Sequence, residues 1–336
     1  MKTGIRHDSK RAKLLGFALC AVLFALCVPA HAQHRKKIPL IAVLDSGTPS
    51  ASSGRIEAFR QGLGLLGYIE GQNIAVEYRY ADGKNNRLPE LAVELVRLKT
   101  DVLVAAGGNS TTRALNQATK TIPIVMTGGS DAVDGGIISS LARPGGNVTG
   151  LTSLWDDLSG KRLELLKESI PKLSRVAVLW NQSGGRNTQW KANQTAAQQL
   201  DLQVHSMGVR NAAALESAFD DAVKARSGAL TVTASTLFSA NQKRIADLAT
   251  KSRLPAMYAG PAHVEAGGLM YYGANTSERY RLAAVYVDKI LKGARPAELP
   301  VEQPTKFELV INLMAAKQIG LTIPPNVLAR ANRVIR

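Results

Sequence analysis

Cysteine is nearly missing from this chain of 336 residues: its two copies, Cys20 and Cys27, both fall within the first 32 residues and none follows. Beyond that point disulfides, thiolate nucleophiles and sulfur-ligated metals are excluded, so stability has to come from a packed core. Histidine is almost as scarce. Only His34, His205 and His263 remain after residue 32, and no two stand at metal-ligand spacing, which leaves zinc hydrolysis and a Ser-His-Asp triad without support. No Gly-x-Ser-x-Gly elbow occurs. Aromatic residues make up only 5% of the chain and do not interleave with the basic ones, which argues against a nucleic-acid surface.

What the chain does have begins at its start. Lys2, Arg6, Lys10, Arg11 and Lys13 form a basic region, Leu14 to Val28 an apolar stretch, and Ala30-His31-Ala32 a small-x-small site before Gln33. We read 1–32 as a cleaved export signal and expect a periplasmic protein; an uncleaved anchor is the alternative. The apolar stretch is shorter than the roughly 18 to 20 residues of a membrane-spanning helix. Leu precedes each cysteine where a lipoprotein signal has a small residue, so a free form is expected.

The full chain carries a formal net charge of +16. Residues 1–32 hold five of the 42 basic and one of the 26 acidic residues, so +12 remains beyond them. The basic residues are spread along helices, among them Arg97, Lys99, Lys161, Arg162, Lys243 and Arg244, and read as solvated faces.

From Ile38 the pattern alternates between short β-rich apolar runs and stretches with helical spacing. Strands are expected at 39–44, 73–80, 101–105 and 122–126, with helices at 55–66, 88–98, 111–118 and 135–141. Arg143-Pro144-Gly145-Gly146-Asn147 is the densest turn signal and marks a crossover. After a helix at 158–169 a second series follows: strands at 175–180, 202–207, 229–233, 256–258 and 269–273, helices at 188–200, 212–225, 240–251 and 278–291, and a last strand at 306–311. Such alternation predicts α/β architecture with parallel sheets covered on both faces. Two α/β lobes joined by several crossings, behind an export signal, describe a hinged clamp that buries a small molecule between its sheets.

Two motifs are rejected on context. Gly62-Leu-Gly64-Leu-Leu-Gly67 has dinucleotide spacing but closes a helix, with Gly67 as its C-terminal cap, and Gly160-Lys161 lacks the rest of a phosphate loop.

Four segments carry a family resemblance: Asn147-Val-Thr-Gly-Leu151, Ser159-Gly-Lys-Arg-Leu-Glu-Leu-Leu-Lys167, Tyr286-Val-Asp-Lys-Ile-Leu-Lys-Gly293 and Leu299-Pro-Val-Glu-Gln-Pro-Thr-Lys-Phe-Glu-Leu-Val-Ile-Asn312. They resemble the ABC-transporter substrate-binding proteins, a family that includes tryptophan- and tyrosine-type binding proteins. The resemblance implies a type I periplasmic-binding fold of two Rossmann-like lobes with parallel sheets joined by a multi-strand hinge, lobe 1 at 38–151 plus 274–296, and lobe 2 at 152–273 plus 297–336. It further implies delivery of a small polar or amino-acid-like solute to a membrane permease driven by a separate ATPase; a monomer is expected. No cofactor and no catalysis are expected. A ligand-binding module of an extracytoplasmic sensory system is the competing reading.

Ligand contacts are expected in the strand-to-helix loops. In lobe 1 these are Ser46 after the first strand, Gly108, Asn109, Ser110 and Thr111 after the third, and Thr127, Gly129, Ser130 and Asp131 after the fourth. Glycines admit close approach of the backbone, while hydroxyls and free N–H groups at a helix start suit a carboxylate. Helix capping by Ser110, Thr111 or Asp131 is the alternative. In lobe 2 the corresponding residues are Asn181, Ser183, Thr233, Ser235 and Tyr258; Arg186 is a further anion partner, and Tyr258, Tyr271 or Tyr272 a stacking surface. Trp155, near the crossover, either lines the cleft or covers the hinge.

Overall fold

The structure, a computed structural model, describes residues 38–130, 132–183 and 187–336. The expected export signal at 1–32, and Asp131, Gly184, Gly185 and Arg186, lie outside the described residues. Among the described residues no helix is long and apolar enough to cross a membrane.

The first sheet has five strands in the order β2-β1-β3-β4-β5, all parallel: β1 Leu40–Asp45, β2 Ala75–Tyr80, β3 Val102–Ala106, β4 Ile124–Thr127 and β5 Val148–Leu151. Its central strands are apolar along their length because both faces are covered. Ile41 and Val43 point to one face and pack with Ile56, Phe59 and Leu63 of helix Pro49–Leu65 and with Ala283, Ala284 and Val287 of helix Thr276–Leu291. Ala42 and Leu44 point to the other, against Leu91 and Leu95 of helix Leu88–Arg97 and Leu115 of helix Asn109–Ala118. Burying a ring such as Phe59, 1% exposed, contributes about 2–3 kcal/mol. The two helices on the first face touch at Gly62, where a Cβ would stand 2.9 Å from the Ala284 Cβ and the Arg281 Cα. A glycine is therefore required there by close approach. Gly67 ends the helix in a left-handed conformation (φ +86°), as its position in the sequence predicts.

The second sheet has seven strands in the order β12-β11-β10-β9-β8-β6-β7: β6 Arg175–Asn181, β7 Gln203–Val209, β8 Ala229–Val232, β9 Ala256–Tyr258, β10 Met270–Ala274, β11 Phe307–Asn312 and β12 Arg333–Ile335. All pairings are parallel except β10 with β11. Helices Leu158–Ser169 and Thr188–Gln199 cover one face through Leu163, Leu166, Ala196 and Ala197. Phe219, Ile245 and Ala249 cover the other. The chain passes between the sheets at 152–157, at Asn275 and at 303–306. Leu299–Glu302 runs along the first sheet: Thr149 Oγ1 donates to the Leu299 carbonyl at 2.7 Å, and Glu302 bridges to Leu151.

Several expected elements are corrected. Helix Pro49–Leu65 starts six residues before the expected 55, because the Thr48 side chain accepts the Ala51 N–H and Pro49 opens the first turn. The helix expected at 135–141 is a run of turns and bends, with Gly136 at φ +68°. The sequence pattern predicts neither β5 nor β12. Helix 212–225 is a 3₁₀ turn, Ala212–Ala214, followed by Leu215–Lys224, and helix 240–251 is two pieces, Thr236–Ala240 and Gln242–Lys251.

Candidate ligand site

The carboxyl ends of β1, β3, β4 and β5 bring the lobe 1 loops together. Ser46 is buried, and its Oγ donates to the Gly107 carbonyl at 3.4 Å. Gly107 and Gly108 have φ of +104° and +96°, which only glycine adopts freely. A Cβ on Gly107 would stand 1.9 Å from Ser46 Oγ, so β1 and β3 meet there. Asn109 Nδ2 donates to the Ser130 carbonyl, which ties the third loop to the fourth. Its Oδ1 is buried without a hydrogen-bond partner. Ser110 is exposed, whereas Thr111 next to it is wholly buried with an unpartnered Oγ1. Neither caps the helix, whose cap is Gly108 with no side-chain bond.

Thr127 turns inward, its Oγ1 donating to the Ala105 carbonyl at 3.2 Å. Gly128 and Gly129 follow at φ +153° and +141°. Gly129 is bonded in both directions to the crossover: its N–H donates to Ser153 Oγ at 3.2 Å and its carbonyl accepts the Ser153 N–H at 3.0 Å. The crossover is thus fastened to the loop that the sequence singles out.

Trp155, in the same crossover, is half-buried with its ring 3.7 Å from where a Gly108 Cβ would be. Its carbonyl accepts from Arg162 Nη1 at 2.9 Å, and Arg162 Nε donates to the Tyr272 carbonyl at 2.8 Å. Arg162 is 3% exposed, its Nη2 has no partner, and burial lowers its pKa to about 10. Arg279, in the first turn of helix Thr276–Leu291, lies against Gly128. Arg279 does not stand out in the sequence, and Arg162 reads there as one of the solvated basic residues. The available signal for Arg279 was its place just after the Asn275 cap, at the return to lobe 1.

Asp45 is not available to a ligand. It is 0% exposed, accepts the Gly47 N–H at 2.7 Å, and is bonded twice by Arg55.

In the second lobe, Asn181 Nδ2 donates to Ser235 Oγ at 3.1 Å, joining the loops after β6 and β8. Ser235 also accepts the Leu237 N–H as helix cap. Thr233 Oγ1 donates to the Leu179 carbonyl at 3.1 Å and is buried, while Ser183 is exposed with its N–H on Asn181 Oδ1. Tyr258 is corrected as a stacking surface: it is fully buried, its ring stacked at 4.9 Å on His263. Tyr271 is likewise buried, its hydroxyl donating to the Ala274 carbonyl at 2.7 Å.

The loop after β2 meets the segment after β8 where Thr236 Oγ1 donates to Asn85 Oδ1 at 3.3 Å and Gly83 faces Ala240. Beside this contact is an open groove of about 590 Å³ lined by Thr48, Ser50, Asn241, Lys243 and Asp247. None of the predicted loop residues lines it. Four of its five charged residues are paired, Lys243 with Asp247 and Arg244 with Glu216, each at 2.5 Å; Lys251 is the fifth. Among the described residues no group of three or more His, Cys, Asp or Glu side chains is placed to hold a metal.

A protein-family model described as "ABC transporter substrate binding protein" matches residues 38–335. A "Tyrosine-binding protein" from Clostridioides difficile (strain R20291) is 28% identical over 267 residues, 79% of this chain and 76% of that protein. A conserved domain protein from Vibrio cholerae O1 biovar El Tor superposes with a TM-score of 0.82 at 29% identity, covering 89% of this chain and 100% of the other. An ABC domain from Streptococcus pneumoniae in complex with L-Trp gives 0.81 at 24% identity, over 88% and 99% of the two chains, and shares the fold.

Proposed function

Because the chain belongs to the ABC transporter substrate-binding protein family, we propose that it captures a small amino-acid-like solute between its lobes and delivers it to a membrane permease served by a separate ATPase. The solute class is that of an aromatic amino acid such as L-tyrosine or L-tryptophan. The observation that carries this is Trp155 set over Gly108: a planar surface stands beside backbone that no side chain obstructs, at the meeting point of three polar loops. The C. difficile relative, named for tyrosine, supports the same class.

In this reading the protein works outside the cytoplasm as a monomer after removal of residues 1–32. Lobe 1 is built on the first sheet with helix Thr276–Leu291, and lobe 2 on the second. Ser46, Gly108, Asn109, Gly129 and Ser130 supply one wall, Asn181 and Ser235 the other. The crossovers bend, and the bond between Ser153 and Gly129 transmits loop position to the hinge.

Thermal unfolding in the presence of amino acids, sugars, nucleosides and polyamines tests this. A ligand held only by the folded clamp at a hundred times its Kd stabilises by about 2.7 kcal/mol. L-tyrosine or L-tryptophan should raise the midpoint and the other classes should not. A rise confined to sugars, nucleosides or polyamines would replace the solute class.

A further inference from the structure

We propose that Arg279 is the cation that receives the solute's carboxylate. This rests on the binding function above and adds its charged anchor. Arg279 sits four residues into helix Thr276–Leu291, the segment that returns from the second sheet to the first. Its Nη1 lies 3.1 Å and its Cζ 3.4 Å from the position a Gly128 Cβ would take, so the guanidinium rests against bare backbone at the carboxyl end of β4. Two successive residues with φ of +153° and +141° keep that surface open. Any side chain at 128 would contend with the guanidinium for the space.

The surroundings are unfavourable to a lone cation. Nε is buried without a hydrogen-bond partner, and among the described residues no carboxylate pairs with the guanidinium. The residues that act on it electrostatically are Tyr271, Tyr280 and a second guanidinium, Arg55. Arg55 is itself engaged by Asp45 at 2.6 Å, so that carboxylate is committed to a different guanidinium. The first turn of a helix is also its positive end, where a cation is disfavoured. Burial and Arg55 accordingly push the Arg279 pKa below the ordinary arginine value. Solvent still reaches part of the residue. A planar anion docking there would be held bidentately, the geometry in which arginine surpasses lysine. The N–H groups at the start of helix Asn109–Ala118, beside Gly108, then orient the solute without having to neutralise it.

Calorimetric titration of wild type, Arg279→Gln and Arg279→Lys compares acids with their carboxylate-free amines: L-tyrosine with tyramine, L-tryptophan with tryptamine. Indole-3-acetate and 4-hydroxyphenylacetate serve as acids lacking the amine. Wild type should bind the amino acids at least ~100-fold more tightly than the amines. Arg279→Gln should lose that preference and Arg279→Lys keep only part of it. Equal affinity of wild type for acid and amine, or an unchanged amino-acid affinity in folded Arg279→Gln, would overturn the assignment and leave the functional reading in place. Binding of the amine-free acids alone, lost in Arg279→Gln, would retain Arg279 and remove the amino-acid class. No binding of any acid would overturn both. If Arg279→Gln does not fold, the wild-type comparison of acid with amine decides.

Discussion

Asp45 and Arg55 form a two-bond ion pair that locks the end of β1 to the second turn of the helix after it, Nη2 to Oδ1 at 2.6 Å and Nε to Oδ2 at 3.2 Å. The carboxylate side chain is 1% exposed and the guanidinium 21%. Removing one partner strands the other in a poorly solvated position. Asp45→Ala is expected to cost about 3 kcal/mol, and Asp45→Ala with Arg55→Met distinctly less. Urea denaturation of the two variants checks this.

Gly107→Ala should damage the site through backbone geometry. The new Cβ meets Ser46 Oγ at 1.9 Å, and φ of +104° is strained for alanine. A loss of about 1–3 kcal/mol in stability is expected, with weakened solute binding. Adding Ser46→Gly should recover part of the stability, because it removes the clash and leaves the strain. Paired thermal and binding measurements separate the two contributions.

If Trp155 lies under the solute, its truncation changes affinity and fluorescence together. Trp155→Ala should weaken binding of an aromatic solute about tenfold, the scale of one aromatic contact. Trp155→Phe should keep most of the affinity but lose the change in tryptophan emission that accompanies wild-type binding. Trp180 and Trp190 are stacked on each other at 5.3 Å and serve as an internal constant.

His263 sets a pH dependence of stability. It is buried against Tyr258, and burial lowers its pKa to about 4 from 6.5. The unfolded chain therefore binds a proton between these values that the folded chain refuses. Stability is full above pH 6.5 and falls as pH drops toward 4, by up to about 1.4 kcal/mol per pH unit. His263→Phe keeps the stack and should lose stability less steeply over that window in thermal scans.

Local signals carried much of the fold. Helix Leu158–Ser169 and strand Ala256–Tyr258 fall where periodicity places them, because their apolar faces and their ends are both written locally. β5 did not show. It is four residues long and contains Gly150 at φ +118°, so it reads as the tail of a turn. It becomes a strand only because β4 offers it a parallel partner, and Gly150 is required there since a Cβ would stand 2.3 Å from the Met126 carbonyl oxygen. The expected helix at 135–141 fails for the opposite reason: apolar spacing suggested it, but a glycine pair interrupts the backbone.

The candidate site was legible as loops rather than as side chains. Gly107-Gly108 and Gly128-Gly129 announce close backbone approach wherever they occur. Whether Asp45, Thr127 or Tyr258 faces a ligand or the core depends on partners far away in sequence, and all three are turned inward. Arg279 is the reverse case, an apparent helix-surface arginine until Gly128 is brought beneath it.

The most direct measurement is calorimetric titration of L-tyrosine and L-tryptophan into the protein beginning at Gln33. One of them should bind saturably, one molecule per chain, with a negative heat-capacity change from burial of the ring between the lobes. A folded protein that gives no saturable heat with either amino acid would contradict it.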